Sequence, residues 1–377
     1  MPRFLIVIGT RPEAIKMAPV AVSLRKRTGA EVRLCLSGQH RGPMAAVLRA
    51  FDLQPDSDLD AMRAGQGLSD LAARVLVGVD GEIRSQRPDL VLVHGDTTTA
   101  AAAAVASFHA RVPLAHVEAG LRTHDLSMPW PEEANRRLVG MLATMHFAPT
   151  ENAKDNLLRE GVKPTSIDVT GNTVVDALMH VRAQLDADPR GFSHLVGLPA
   201  DGHHIVLVTG HRRENHGSGI DALCEALLLL AARGDTRVVY PVHPNPNVDG
   251  PVRARLGSHP AITLLPPLDY LPFVSLMMRS RLILTDSGGI QEEAPVLGTP
   301  VLVMREVTER PEAVAAGAVR LVGMDRDRIV DEATRLLTDE AAHAAMRQKI
   351  SPYGDGRAAE RIAARCVREL ATGSSSS

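Results

Sequence analysis

Eight short polar stretches in this chain carry side chains able to hold an anion or move a proton: GTRPEAIK (9–16), GQHR (38–41), HGDTTT (94–99), HVEAGLRT (116–123), TGHRREN (209–215), PVHPNPN (241–247), TDSGGIQEE (285–293) and TERPE (308–312). In the seventh, Ser287, Gly288 and Gly289 fall between an apolar run and a helical pattern, where free N–H groups can cradle a phosphate. Glu293 follows within the first helical turns, and a carboxylate there can accept both hydrogen bonds of a ribose diol. The pair suggests a nucleoside diphosphate, although an ordinary turn with Asp286 or Ser287 as N-cap uses the same residues. Arg11 stands at the start of a helix, where a cation opposes the helix dipole unless an anion compensates it. Lys16 lies five residues on, and pairing of either cation with Glu13 explains only part of this placement. Arg310 is a further phosphate candidate, or a solvated loop charge.

The acidic residues suggest proton transfer. Asp96 follows the run LVLVHG and Glu118 interrupts LAHVEAG, so both are candidates for partial burial, where an unpaired carboxylate is costly. His94 and His116 are candidate partners, with packing in the core as the commoner fate of such histidines. Glu132 and Glu133 open a helix with Arg136 and Arg137 four residues on, a pattern that also serves plain helix stabilisation. Trp130, between Pro129 and Pro131, fixes the approach to that helix more firmly than a surface helix requires. His211 ends an apolar run and is a candidate acid, base or phosphate donor.

These residues need strand ends to hold them. Apolar runs FLIVI, EVRLCL, DLVLVHG, LAHVEA and HFAPT alternate with amphipathic segments in the first half, the arrangement of βαβ units in a parallel sheet. After a polar patch at 186–202 a second series begins: HIVLVTG, TRVVYPVH, AITLLPP, RLILTDSGG and PVLVM. The restart predicts an α/β chain of two similar doubly wound domains, and the 377-residue length agrees with two cores. Ligands in such sheets bind beyond the carboxyl ends of the strands, where the polar stretches fall.

Composition excludes several classes. The formal net charge is −2 with no long basic run, which does not support a nucleic-acid footprint. Cys35, Cys224 and Cys366 are widely spaced in apolar patterns and read as buried thiols of a reducing compartment rather than metal ligands. No stretch reaches about 18 apolar residues, and the first run is too short for a signal peptide, so the expectation is a soluble cytoplasmic protein.

In order along the chain, GTRPEAIKMAP, HGDTTTA, HVEAGLRT, PWPEEANR, TGHRREN, YPVHPNPNV, LTDSGGIQEEAP and TERPEA resemble the bacterial non-hydrolysing UDP-N-acetylglucosamine 2-epimerases, from about Phe4 to Arg361. The resemblance implies a GT-B-like fold: two Rossmann-like domains around a cleft, with the C-terminal helix crossing back to the first. It places that first domain at 1–170 plus 357–372 and a UDP-binding domain at 171–356, leaving 373–377 as a disordered tail or cloning remnant. It implies conversion of UDP-GlcNAc to UDP-ManNAc by anti elimination of UDP to a 2-acetamidoglucal and re-addition of UDP, without nicotinamide, other cofactor or metal. The product would feed cell-surface polysaccharide synthesis, and the enzyme would be a homodimer.

By the same resemblance Asp96, Glu118 and Glu132 are the acid/base residues, assisted by His211. Arg11, Lys16, His211, Ser287, Gly288, Gly289 and Arg310 meet the UDP, Phe273 packs on the uracil and Glu293 takes the ribose. A second, activating UDP-GlcNAc would use Gln39, His40, Arg41, Arg74, Arg212 and His243, although Gly42 and Pro43 replace the polar residue often seen after that QHR segment. Alternatives of related chemistry are a GT-B glycosyltransferase, a non-catalytic UDP-sugar-binding regulator and a 2-epimerase for a UDP-2,3-diacetamido sugar. The three carboxylates in the first half favour the epimerase over the transferase. A hydrolysing epimerase is disfavoured because the chain lacks the kinase domain often fused to such enzymes.

Overall fold

The computed structural model describes the chain apart from residues 28, 39, 40, 64, 188–201, 211, 213, 214, 216, 309, 348–351 and 374–377, and apart from the side chains of residues 41, 43, 372 and 373. The backbone divides into two compact units, residues 1–179 with 353–377 and residues 180–352.

Unit 1 runs β1 (Arg3–Ile8), α1 (Arg11–Arg25), β2 (Glu31–Leu36), α2 (Arg41–Ala50), β3 (Ser57–Asp58), α3 (Leu68–Gln86), β4 (Leu90–His94), α4 (Thr98–His109), β5 (Leu114–Val117), α5 (Glu132–Leu142), β6 (Met145–Ala148), α6 (Glu151–Arg159), β7 (Ile167–Val169) and α7 (Thr173–Ala187), the last of which crosses the division. Among the described residues its strands form one parallel sheet of order β3-β2-β1-β4-β5-β6-β7. The apolar runs are continuous rather than alternating because helices cover both faces of the sheet. Leu5 and Val7 of β1, Val91 and Val93 of β4, and the alanines of α4 pack in one core with Val75 and Val79 of α3. Alanine lets α4 approach the sheet closely, at the point where strand order reverses between β1 and β4.

Unit 2 runs β8 (His204–Thr209), α8 (Ser218–Ala231), β9 (Thr236–Pro241), α9 (Pro246–Leu256), β10 (Ile262–Leu265), α10 (Tyr270–Arg279), β11 (Leu282–Thr285), α11 (Gly288–Val296), β12 (Val301–Val303), α12 (Pro311–Ala315), β13 (Val319–Leu321), α13 (Arg326–Thr338) and α14 (Glu340–Arg347). Its sheet is also parallel, in the order β10-β9-β8-β11-β12-β13, with the reversal between β8 and β11. The chain then returns to unit 1 as α15 (Ala358–Gly373), which packs on α1. The Asp176 carboxylate, on the first turns of α7, accepts from Ala358 N at 3.2 Å and Ala359 N at 2.8 Å and so caps α15.

The apolar runs named in the sequence form β1, β2, β4, β5, β6 and β8 to β12, while β3, β7 and β13 were not among them. All three cysteines are free and buried, and burial pushes their thiols up to about 12, 11 and 12 for Cys35, Cys224 and Cys366. Among the described residues no helix is long and apolar enough to cross a membrane.

Candidate active site

Each sheet gathers polar residues at its own carboxyl edge. In unit 1 the turn after β1 is held by Glu13, which is buried and accepts from Gly9 N at 3.0 Å, Thr10 N at 2.6 Å and Thr10 Oγ1 at 2.8 Å. Its other oxygen accepts from Thr97 Oγ1 at 2.8 Å, and Thr97 in turn caps α4 by accepting from Ala100 N at 3.0 Å. Glu13 therefore staples the turn that presents Arg11 to the loop that presents Asp96. The alternative pairing of Glu13 with Arg11 or Lys16 gives way to this role, because backbone N–H groups at the helix start reach the carboxylate first. Burial outweighs the four donors and pushes Glu13 up to about 7.

Lys16 reaches Glu118 instead, and the two form a largely buried ion pair. Glu118 lies just past β5 rather than within the strand, with φ +62, a left-handed conformation that is uncommon outside glycine. Its carboxylate also accepts from Asn172 Nδ2 at 3.0 Å and lies 3.5 Å from His94 Nε2. Of the two histidine candidates, His94 is thus the one beside Glu118. His116 is fully buried and bonds through Nε2 to Gly95 O at 2.8 Å. Desolvation lowers its pKa to about 3, so it is a neutral ring that donates to the carbonyl and braces the turn before Asp96.

Asp96 pairs with Arg136 of α5, and Asn135 Nδ2 donates to Asp96 O at 2.9 Å. The first turns of α5, which begin with half-buried Glu132, are thereby docked on the Asp96 loop. Glu133 is wholly buried and structural: it accepts from Thr123 N at 3.0 Å and His124 N at 3.2 Å, and pairs with Arg137 at 3.1 Å. Trp130 is 69% exposed at the approach to this helix.

In unit 2, Ser287 occupies the N-cap position of α11, and Gly288 and Gly289 form its first turn. Positions corresponding to added Cβ atoms there lie 4.0 Å from Arg310 Nη2 and 3.6 Å from Glu293 Oε1, so these two side chains flank the helix start. Asp286 is no N-cap. It is fully buried and accepts from Arg212 N at 2.9 Å and Asn215 Nδ2 at 3.1 Å, which ties the loop after β8 to the end of β11. Thr209 and Thr285 meet through their hydroxyls at 2.6 Å across the same reversal point. Tyr240 donates its hydroxyl to Gly210 O at 3.0 Å. Arg310 forms an ion pair with Glu292, which is 1% exposed, so it is not a solvated loop charge.

Phe273 is half-buried on α10. Of the activator candidates, Arg74 is half-buried on α3 in unit 1, while Arg212 and exposed His243 follow β8 and β9 in unit 2. His211, Gln39 and His40 lie outside the described residues, as does the side chain of Arg41. Among the described residues no cluster of His, Cys, Asp and Glu is arranged to hold a metal. Sequence reasoning missed Asn172 and Glu292 and read Asp286 only as a possible cap. All three are buried and contact partners remote in sequence.

Residues 22–366 match the family model described as UDP-N-acetylglucosamine 2-epimerase. Over 364 residues the chain is 54% identical to UDP-N-acetylglucosamine 2-epimerase of Yersinia pestis, covering 96% of this chain and 97% of that one. The Escherichia coli K12 enzyme of the same name is 53% identical over 365 residues, with 96% and 97% covered. The structure of UDP-GlcNAc 2-epimerase from Neisseria meningitidis bound to UDP-GlcNAc superimposes with a TM-score of 0.91 at 44% identity, covering 97% of this chain and 100% of that one. A glycotransferase of kitacinnamycin shares the fold alone, with a TM-score of 0.64 at 15% identity and coverage of 98% and 100%.

Proposed function

The chain belongs to the UDP-N-acetylglucosamine 2-epimerase family and is an epimerase of GT-B-like fold, and from that premise we propose that it interconverts UDP-GlcNAc and UDP-ManNAc by departure and return of UDP. A base removes the C2 proton while the C1–O bond to UDP breaks, leaving a C1=C2 double bond in a 2-acetamidoglucal. The UDP oxygen then re-forms its bond to C1 and C2 receives a proton on its opposite face. UDP leaves and returns to C1 and one proton at C2 is exchanged for another, so the net change is inversion at C2.

The observation that carries this reading is the pair of carboxylates at neighbouring strand ends of unit 1, Glu118 and Asp96, each held by a cation. Proton removal and return on two faces call for two such groups, and Glu132 stands on the helix docked beside Asp96. Lys16 and Asn172 both contact the Glu118 carboxylate and fix its position. Arg11, His211, Arg310 and the Ser287–Gly288–Gly289 turn are assigned to the UDP, with Glu293 on the ribose and Phe273 on the uracil. The Neisseria meningitidis relative, whose structure holds UDP-GlcNAc, supports the substrate class.

A homodimer is part of the same proposal, since Val77, Phe108 and Met141 are at least 62% exposed on α3, α4 and α5 of unit 1, with α4 packed against both of the others. The function is tested by NMR of UDP-GlcNAc incubated with the protein and no other cofactor. A fixed equilibrium mixture with UDP-ManNAc is expected, whereas accumulation of free UDP with a free sugar would refute it. Light scattering at twice the chain mass is the expected result for the dimer, and the single-chain mass would refute it.

A further inference from the structure

Asn172 occupies the turn between β7 and α7 and is 4% exposed. The residue before it, Gly171, has φ +88, and an added Cβ would lie 3.2 Å from Tyr353 O and 3.3 Å from Gly354 Cα. The chain returning from unit 2 is therefore pressed directly onto this turn, and Asn172 N donates to Tyr353 O at 2.7 Å.

The side chain of Asn172 points its two ends at different tasks. Val174 N donates to Asn172 Oδ1 at 3.0 Å. Only the amide oxygen can accept from an N–H, so the orientation of the amide is fixed by chemistry. The NH₂ must then face Glu118, and Nδ2 donates to Glu118 Oε1 at 3.0 Å. Lys16 from α1 meets the same carboxylate, and His94 at the end of β4 lies 3.5 Å from its other oxygen. Other charges on these elements have their own contacts: Glu13 of α1 accepts from Gly9, Thr10 and Thr97. Asp96 pairs with Arg136, Asp176 caps α15, and Asp355 pairs with Arg361 at 2.7 Å, while Arg361 Nη1 also donates to Thr170 O at 3.0 Å.

We propose that Asn172 is a positioning residue for the C2 chemistry: it aims the Glu118 carboxylate and favours its ionised form, and it passes the seating of the return segment at Tyr353 directly to that carboxylate. The proposal rests on the reading of Glu118 as an acid/base group. An asparagine suits the position because it offers an acceptor to Val174 and an obligatory donor to Glu118. The isosteric aspartate keeps the first contact and replaces the second with a like charge.

The test is Asn172→Asp, with kcat/KM for UDP-GlcNAc followed against pH and UDP affinity measured by calorimetry. A second carboxylate against Glu118 disfavours ionisation, and Lys16 cannot neutralise both, so the limb governed by Glu118 should move upward by at least about one pH unit. UDP affinity should stay within about twofold, because Arg11, Arg310 and the Ser287–Gly288–Gly289 turn are untouched and Lys16 is already held by Glu118. Asn172→Ser retains an acceptor for Val174 but is too short to reach Glu118, and should lower kcat about 10- to 100-fold with KM unchanged. A profile superimposable on that of the natural protein would overturn the proposal. So would lost activity with an unshifted profile and a lowered melting temperature, which would make Asn172 only a bracket for the return segment. Glu118→Gln separates the two levels: natural C2 exchange in that variant removes both readings, whereas an inactive Glu118→Gln with an unshifted Asn172→Asp profile removes this one alone.

Discussion

Glu13→Gln should make the protein more stable at neutral and alkaline pH. Glu13 is 2% exposed, and burial lifts its pKa from 4.5 to about 7. A carboxylic acid with a raised native pKa binds more protons folded than unfolded across that interval, so its contribution to stability falls as pH rises. Linkage gives a loss of about 1 kcal/mol by pH 5 and about 3 kcal/mol by pH 8, relative to a residue that stays neutral. Glutamine is such a residue, and the geometry accepts it. The amide oxygen can take the Gly9 and Thr10 donors while its NH₂ turns to Thr97 Oγ1, which has a lone pair to spare. The assay is urea unfolding of both proteins from pH 5 to 8. Taking the difference between them cancels the other titrating groups. The expected difference grows by about 2 kcal/mol over that range in favour of the glutamine variant. A difference that stays flat with pH, or a variant that loses stability at pH 8, would refute the argument.

Lys16→Met should shift the Glu118-governed limb of the pH–rate profile upward by about 1 to 3 units, because the cation that favours the carboxylate is gone. An unshifted limb with weakened UDP binding, read by calorimetry, would assign Lys16 to the diphosphate alone. Arg310→Ala removes the cation that pairs with buried Glu292 and should cost about 3–5 kcal/mol in thermal unfolding, with much of the loss recovered by adding Glu292→Gln. Failure of the second change to recover stability would contradict the buried-pair account. Gly120→Ala places a Cβ 2.1 Å from Ala153 O at a φ of +91 and should destabilise by at least about 2 kcal/mol, with an unchanged urea midpoint as the contrary result.

The doubly wound architecture was legible because long parallel strands carry unbroken apolar runs, as in FLIVI and HIVLVT. β3 has two residues, and the three-residue β7 (IDV) and β13 (VRL) are each interrupted by a charge, unlike the VLV of β12, so no apolar run registers. Strand-end carboxylates stood out because charge interrupts apolar sequence at Asp96 and Glu118. Their partners were illegible for a different reason. Lys16 and Glu118 are 102 residues apart, and Asn172 and Glu118 are 54 apart, so topology alone brings them together. Asn172 after Gly171 reads locally as turn chemistry, and Asp286 before Ser287 reads as a cap. Each makes its decisive contact across the sheet, which no local pattern encodes. Glu13 shows the converse: its neighbours in sequence suggested an ion pair, and the backbone of its own helix start claimed it first.

The central claim is that C2 loses its proton in each turnover and receives one that has exchanged with solvent. NMR of UDP-GlcNAc incubated with the protein in D₂O tests this most directly. The account predicts UDP-ManNAc carrying deuterium at C2, with deuterium entering the C2 position of recovered UDP-GlcNAc as equilibrium is approached. Substrate that remains protonated at C2 after long incubation, or UDP-ManNAc formed without deuterium, would contradict it.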